Sequence, residues 1–164
     1  MIWLLASLIS LNVFAEDACL SGAAIQAFEQ KSLKTTIPYV KKNPDPPNVP
    51  HSSYLNIGMA LIDAGMMKQE FLGKTAQEAQ QRLKGQGFVN LLDCPEWKKK
   101  IGAGTGRGTP IGAVMIYESK SKKDKLGSIR LRSPAGCIVA GKRDGACKKT
   151  GVVLSGVFVK NVTQ

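Results

Sequence analysis

The hydrophobic period of this chain changes at Pro110, and the change limits its architecture more than any other feature. Before it, apolar residues recur at helical spacing. After it, they alternate or run on continuously, as they do in strands. A block of helices followed by a block of strands is the pattern of an α+β domain with a small antiparallel sheet. At 164 residues the chain has room for one such core, and no internal repeat is visible.

The helical half divides at its prolines. From Cys19 to about Thr36, the residues Ala24, Ile25, Phe28 and Leu33 recur near helical spacing. Pro38, Pro44, Pro46, Pro47 and Pro50 then predict an extended connection over 38–50, because proline lacks a backbone donor and clashes with a helical turn. Ser53 is a good N-cap for a helix running to about Met66. Ile57, Ala60, Leu61 and Ala64 form one apolar stripe on it, and Leu55, Met59, Ile62 and Met66 form another. A helix apolar nearly all round is expected to be buried. Gly65 ends it, and Thr75-Ala76-Gln77-Glu78 is a capping box opening another helix that stops near Gly85.

Gly102 to Gly108 holds four glycines in seven residues but lacks the Lys-Ser/Thr ending of a phosphate loop, and an apolar strand follows it. Ala113–Tyr117 is apolar at nearly every position, as a doubly buried strand is. Residues 119–125 read as an exposed basic connection. In Leu126–Arg132, Ile129 and Leu131 face one way while Ser128, Arg130 and Arg132 face the other. Ile138–Ala140 and Val152–Val159 supply further strands.

Residues 1–15 carry no charge, are mostly apolar and end Val13-Phe14-Ala15, the outline of a signal peptide cleaved after Ala15. Glu16 arrives too early for a membrane span of about 20 apolar residues, so no transmembrane anchor is expected after cleavage. Residues 16–37 are then an N-terminal helical segment, 38–50 the Pro-rich connection, and 51–164 the main domain.

Export makes Cys19, Cys94, Cys137 and Cys147 an even set for disulfides. Of the three pairings, the favoured one joins Cys137 to Cys147 across a short loop and Cys19 to Cys94 at the mature N-terminus. Cys94 lies beside Asp93 and near Glu96, which disfavours a reactive thiolate there. No C-x-x-C spacing occurs and there is one histidine, so neither a metal nor another cofactor is expected.

The formal net charge is +11, concentrated at Lys98–Lys100, Lys120–Lys125 and Arg130–Arg143. Such a chain is drawn to anionic partners. Aromatics make up only 6% and do not interleave with the basic runs, so nucleic acid is not expected.

Five segments carry a resemblance in their order and spacing. They are Ser53–Gly65, Gly87-Phe88-Val89-Asn90-Leu91, Pro110–Tyr117, Gly127-Ser128-Ile129-Arg130-Leu131, and Gly156-Val157-Phe158-Val159-Lys160. Together they resemble the CHAP family of bacterial cell-wall amidases and endopeptidases, relatives of the NlpC/P60 enzymes with a papain-like core. The resemblance covers roughly Pro50 to Lys160 and implies that fold. It also implies a cysteine nucleophile at the helix start and a histidine base after the strand's glycine, where Ser53 and Ser128 stand here. The orienting polar position falls near Arg130 or Ala140.

A serine with no base beside it is a poor nucleophile. His51, the lone histidine, lies two residues from Ser53, and side chains so spaced do not face each other on a helix; it is a weak candidate base. Arg130 and Arg132 are the candidate ligand-binding pair, because guanidinium groups bind carboxylates in bidentate fashion and wall stem peptides carry free carboxylates. The expected function is therefore that of an exported, non-catalytic domain in the periplasm or outside the cell. It would bind peptidoglycan or another anionic envelope polymer, or regulate a cell-wall hydrolase. The alternatives are an active amidase or endopeptidase using Ser53, and a secreted inhibitor or partner-binding protein.

Overall fold

A computed structural model describes residues 19–44, 52–71, 75–102, 105–121, 126–139, 142–147 and 150–162. Helix α1 (Gly22–Lys34) is capped by Ser21, whose hydroxyl accepts from the Ala24 amide at 3.2 Å. It buries Ala24, Ile25 and Phe28. Leu33, expected on the same stripe, is exposed, and Ser32 takes the buried place. The reason is a close approach. Gly112, at φ +82°, would bring a Cβ within 2.1 Å of the Ser32 Cβ, so only a small residue fits on each side.

The extended connection expected from Pro38 begins later than the prolines suggest. Thr36–Lys42 forms a second helix, α2, which buries Ile37 and Val40. Pro38 is its third residue, within the first turn, where the backbone N–H groups have no intrahelical partner to lose. Residues 45–50 of that connection, and the leader, lie outside the described residues.

Helix α3 (Ser52–Asp63) ends in a Schellman motif, with Gly65 at φ +66° and the Met66 amide donating to the Leu61 carbonyl at 2.8 Å. Its Ile57, Ala60, Leu61 and Ala64 stripe is buried, but of the second stripe only Met66 is: Leu55 is exposed, and Met59 and Ile62 are half-buried. The helix lies on the core and is not enclosed by it. Helix α4 (Ala76–Gly85) has the expected capping box between Thr75 and Glu78. A short helix, α5 (Pro95–Ile101), follows.

The sheet is open, antiparallel and six-stranded among the described residues, in the order β1-β6-β2-β3-β4-β5. Its strands are β1 (Phe88–Asn90), β2 (Val114–Ser119), β3 (Ser128–Ser133), β4 (Gly136–Val139), β5 (Lys142–Gly145) and β6 (Val152–Lys160). β6 enters between β1 and β2. Asn90 secures that junction, its Oδ1 accepting from the amides of Leu92 (3.2 Å) and Val157 (2.9 Å). Val114 to Tyr117 are all buried, as a strand covered on both faces requires.

Both favoured disulfides form. Cys19–Cys94 ties the segment before α1 to the start of α5, and Cys137–Cys147 joins β4 to the segment after β5, with Cα atoms 5.8 and 4.9 Å apart. Two bridges fit an oxidising compartment. No helix among the described residues is long and apolar enough to cross a membrane. The fold is thus the α+β class that the switch in period implies.

Candidate functional site

The start of α3 meets the start of β3. The Tyr54 hydroxyl donates to the Leu126 carbonyl at 2.8 Å, so the residue after Ser53 is fastened to a residue two before Ser128. Gly127, between them, has φ +65°, and a Cβ there would lie 2.3 Å from the Tyr117 carbonyl oxygen and 2.9 Å from the Ala76 Cβ. Only glycine lets the chain turn into β3 at this point. Ser53 is the second residue of α3 and half-buried, so it is not the N-cap. Ser128 is half-buried at the first position of β3. His51 lies outside the described residues, so no imidazole stands among them.

Strand register adds a residue that sequence reasoning missed. Ser128 pairs directly with Tyr117 on β2, and Arg130 pairs with Met115. Residues two apart share a face, so Ser128, Arg130, Arg132, Tyr117 and Met115 lie on one side of the sheet. Tyr117 was legible only as a core residue, because pairing partners are not visible in a sequence.

Arg130 does not face outward. It is 6% exposed, packs its guanidinium over the Tyr117 ring at 5.3 Å, and donates through one terminal nitrogen to the carbonyls of Ala146 (2.5 Å) and Cys147 (2.9 Å). Its Nε is buried with no partner among the described residues. Burial lowers the Arg130 pKa, with Tyr117 opposing. Burial also raises the Tyr117 phenol to about 12, against a smaller lowering by Arg130. Arg132 is half-buried and donates to the carbonyls of Gly106 (3.0 Å), Gly136 (2.6 Å) and Ser133. The pair expected to clamp a ligand carboxylate instead binds backbone carbonyls, because the turns after β3 and β5 leave buried carbonyl oxygens that need donors.

These contacts hold the surrounding segments together. The Cys137–Cys147 bridge fixes the carbonyl that Arg130 needs, and Cys137 Sγ lies 3.5 Å from Met115 Sδ. Gly106 is pressed against this bridge: a Cβ on it would come within 2.4 Å of Cys147 Sγ.

Chemically, the face offers donors and no base. Ser128 is a hydroxyl, Arg130 is a permanent cation, and Tyr117 keeps its proton far above neutrality. None of the three takes up a proton at neutral pH, which a hydroxyl nucleophile at Ser53 would require. No group of three metal-ligating side chains exists among the described residues. A cleft of ≈610 Å³ is lined by Met59, Ile62, Lys68, Gln69, Glu70 and Arg82, between α3 and α4, and takes no lining from Ser53, Ser128 or Arg130. Compared with protein-family models, curated proteins and solved structures, the chain matches none.

Proposed function

We propose that this chain is an exported, disulfide-bonded, non-catalytic domain with a CHAP-like, papain-type core, which binds peptidoglycan or regulates the enzymes that cut it. One observation supports the reading: Tyr54 and Leu126 fasten the start of α3 to the start of β3, the two elements from which a papain-type thiol and imidazole would project, and Ser53 and Ser128 stand there instead. A charge of +11 and two disulfides are in keeping with binding to an anionic envelope polymer outside the cytoplasm. Arg130 and Arg132 serve the scaffold in this reading, and the ligand is met elsewhere.

The test is co-sedimentation of the mature, oxidised protein with purified insoluble peptidoglycan. The expected result is retention on the wall, unchanged by Ser53→Ala or Ser128→Ala. Protein left in the supernatant at low salt would overturn the reading and turn attention to a protein partner.

A further inference from the structure

Two basic segments, α5 and the loop after it, meet at Gly108. α5 carries Lys98, Lys99 and Lys100, all exposed, while its apolar Trp97 and Ile101 turn toward the core. The loop that follows returns onto the last turn of α5. Gly108, at φ +69°, comes so close that a Cβ there would lie 2.3 Å from the Lys100 carbonyl oxygen. Arg107, exposed, is thereby set beside Lys100. Gly106 abuts Cys147, which anchors this loop against the Cys137–Cys147 bridge.

Acids are sparse on α5 and the loop 105–109. Asp63, Glu70, Glu78 and Glu118 lie on α3, the loop after it, α4 and the far end of β2. Near α5, Asp93 is engaged by Lys84 at 3.4 Å, leaving Glu96 as the one acid on the helix. Among the described residues Lys98, Lys99, Lys100 and Arg107 form no ion pair; Lys100 lies over the Trp97 ring at 4.8 Å. The glycine contacts, the Arg132 bond to the Gly106 carbonyl and the Cys137–Cys147 bridge hold this face in place.

We infer that the face formed by α5 and the loop 105–109 is the binding surface for a polyanion bearing closely spaced phosphates, met as a flexible polymer. Three physical points select this partner. Three of the four exposed cations are lysines, point charges that read charge density, whereas shaped recognition of one carboxylate favours arginine. Consecutive residues on a helix are turned by about 100° from each other, so the three lysines spread charge around the outer side of α5 rather than converging on one anion, which suits a flexible chain of charges. The exposed large apolar side chains, Leu33, Leu55, Leu126 and Val153, all lie outside this face. It therefore lacks the apolar side chains by which a surface helix inserts into lipid.

The choice of an envelope polymer rests on the exported-binder reading; the surface itself does not. The test uses long-chain inorganic polyphosphate as probe, with phosphatidylglycerol vesicles as comparison. Two variants each remove four charges: K98Q/K99Q/K100Q/R107Q on this face, and K120Q/K122Q/K123Q/K125Q in the basic loop. Lys98, Lys99, Lys100, Arg107 and Lys120 are exposed; Lys122, Lys123 and Lys125 lie outside the described residues. The wild type binds polyphosphate with an affinity that falls steeply with salt. The face variant loses at least about tenfold, and its slope of log K against log salt drops by about 3. The loop variant stays within about threefold of wild type, since charges away from the contact add only screened attraction.

Equal loss in both variants would overturn the proposal by reducing it to net charge. Vesicle binding without polyphosphate binding would overturn the choice of partner. Failure of the exported-binder reading is separable: the wild type would then leave peptidoglycan unretained while polyphosphate binding persisted.

Discussion

Gly127 shows how one residue fixes the geometry of the proposed site. Its positive φ and the 2.3 Å that would separate a Cβ from the Tyr117 carbonyl combine conformational strain with a backbone clash. Gly127→Ala should destabilise the protein by about 2 kcal/mol or more, read as a lower urea midpoint. Gly85 is the control, since a Cβ there meets nothing within 4 Å. Gly85→Ala, in α4, should raise the midpoint by about 0.5 kcal/mol. Tyr117 gives a pH prediction. Burial holds its folded pKa at about 12, above the ordinary 10.0 of a tyrosine, so the unfolded chain loses the proton first as pH rises. This contribution to stability is complete below about pH 10 and is lost between about 10 and 12. The phenolate absorbance abolished by Tyr117→Phe should have its midpoint near pH 12 in the folded protein and near 10 in urea. A midpoint near 10 without urea would contradict the burial of Tyr117. At this scale the sequence placed Ser53 at the start of a helix and Ser128 at the start of a strand, as α3 and β3 have them. It was not legible for Arg130: alternation places a side chain on a face but cannot say whether carbonyls after β5 will cover that face.

The elements were more legible than their edges. The capping box, the glycine stop of α3, the doubly buried β2 and both disulfides were readable, because each depends on local chemistry. α2 was misread because proline was treated as a helix breaker, when its place in the first turn removes no intrahelical bond. The two stripes of α3 were read as full burial, but burial needs something to cover the second stripe, which lies beside an open cleft. The disulfides belong to this scale. Closing a loop of 10 residues, Cys137–Cys147 should stabilise by about 3 kcal/mol from chain entropy, and Cys19–Cys94, spanning 75, by about 4 kcal/mol. The Cys137→Ala/Cys147→Ala variant should lose at least its entropic share, since Arg130 also loses the constraint on one of its acceptors. Thermal unfolding of both double variants checks the order. A Cys137–Cys147 deletion that cost under about 1 kcal/mol would show that Arg130 and Arg132 hold the β4–β5 region without it.

For the whole molecule, cations outnumber acids, and α5 with the loop after it carries Lys98, Lys99, Lys100 and Arg107 against Glu96 alone. The sequence placed the lysine run but not Arg107 beside it, because that approach depends on Gly108 packing against the Lys100 carbonyl. The proposed function joins this basic patch at α5 to a site that shows no base among the described residues. The most direct measurement is to incubate the mature, oxidised protein with purified peptidoglycan at low salt. Released fragments are read by mass spectrometry, and retained protein by sedimentation. The account predicts no new fragments and protein held on the wall. Amide-cleavage products that vanish on Ser53→Ala would contradict it and make the chain a serine hydrolase.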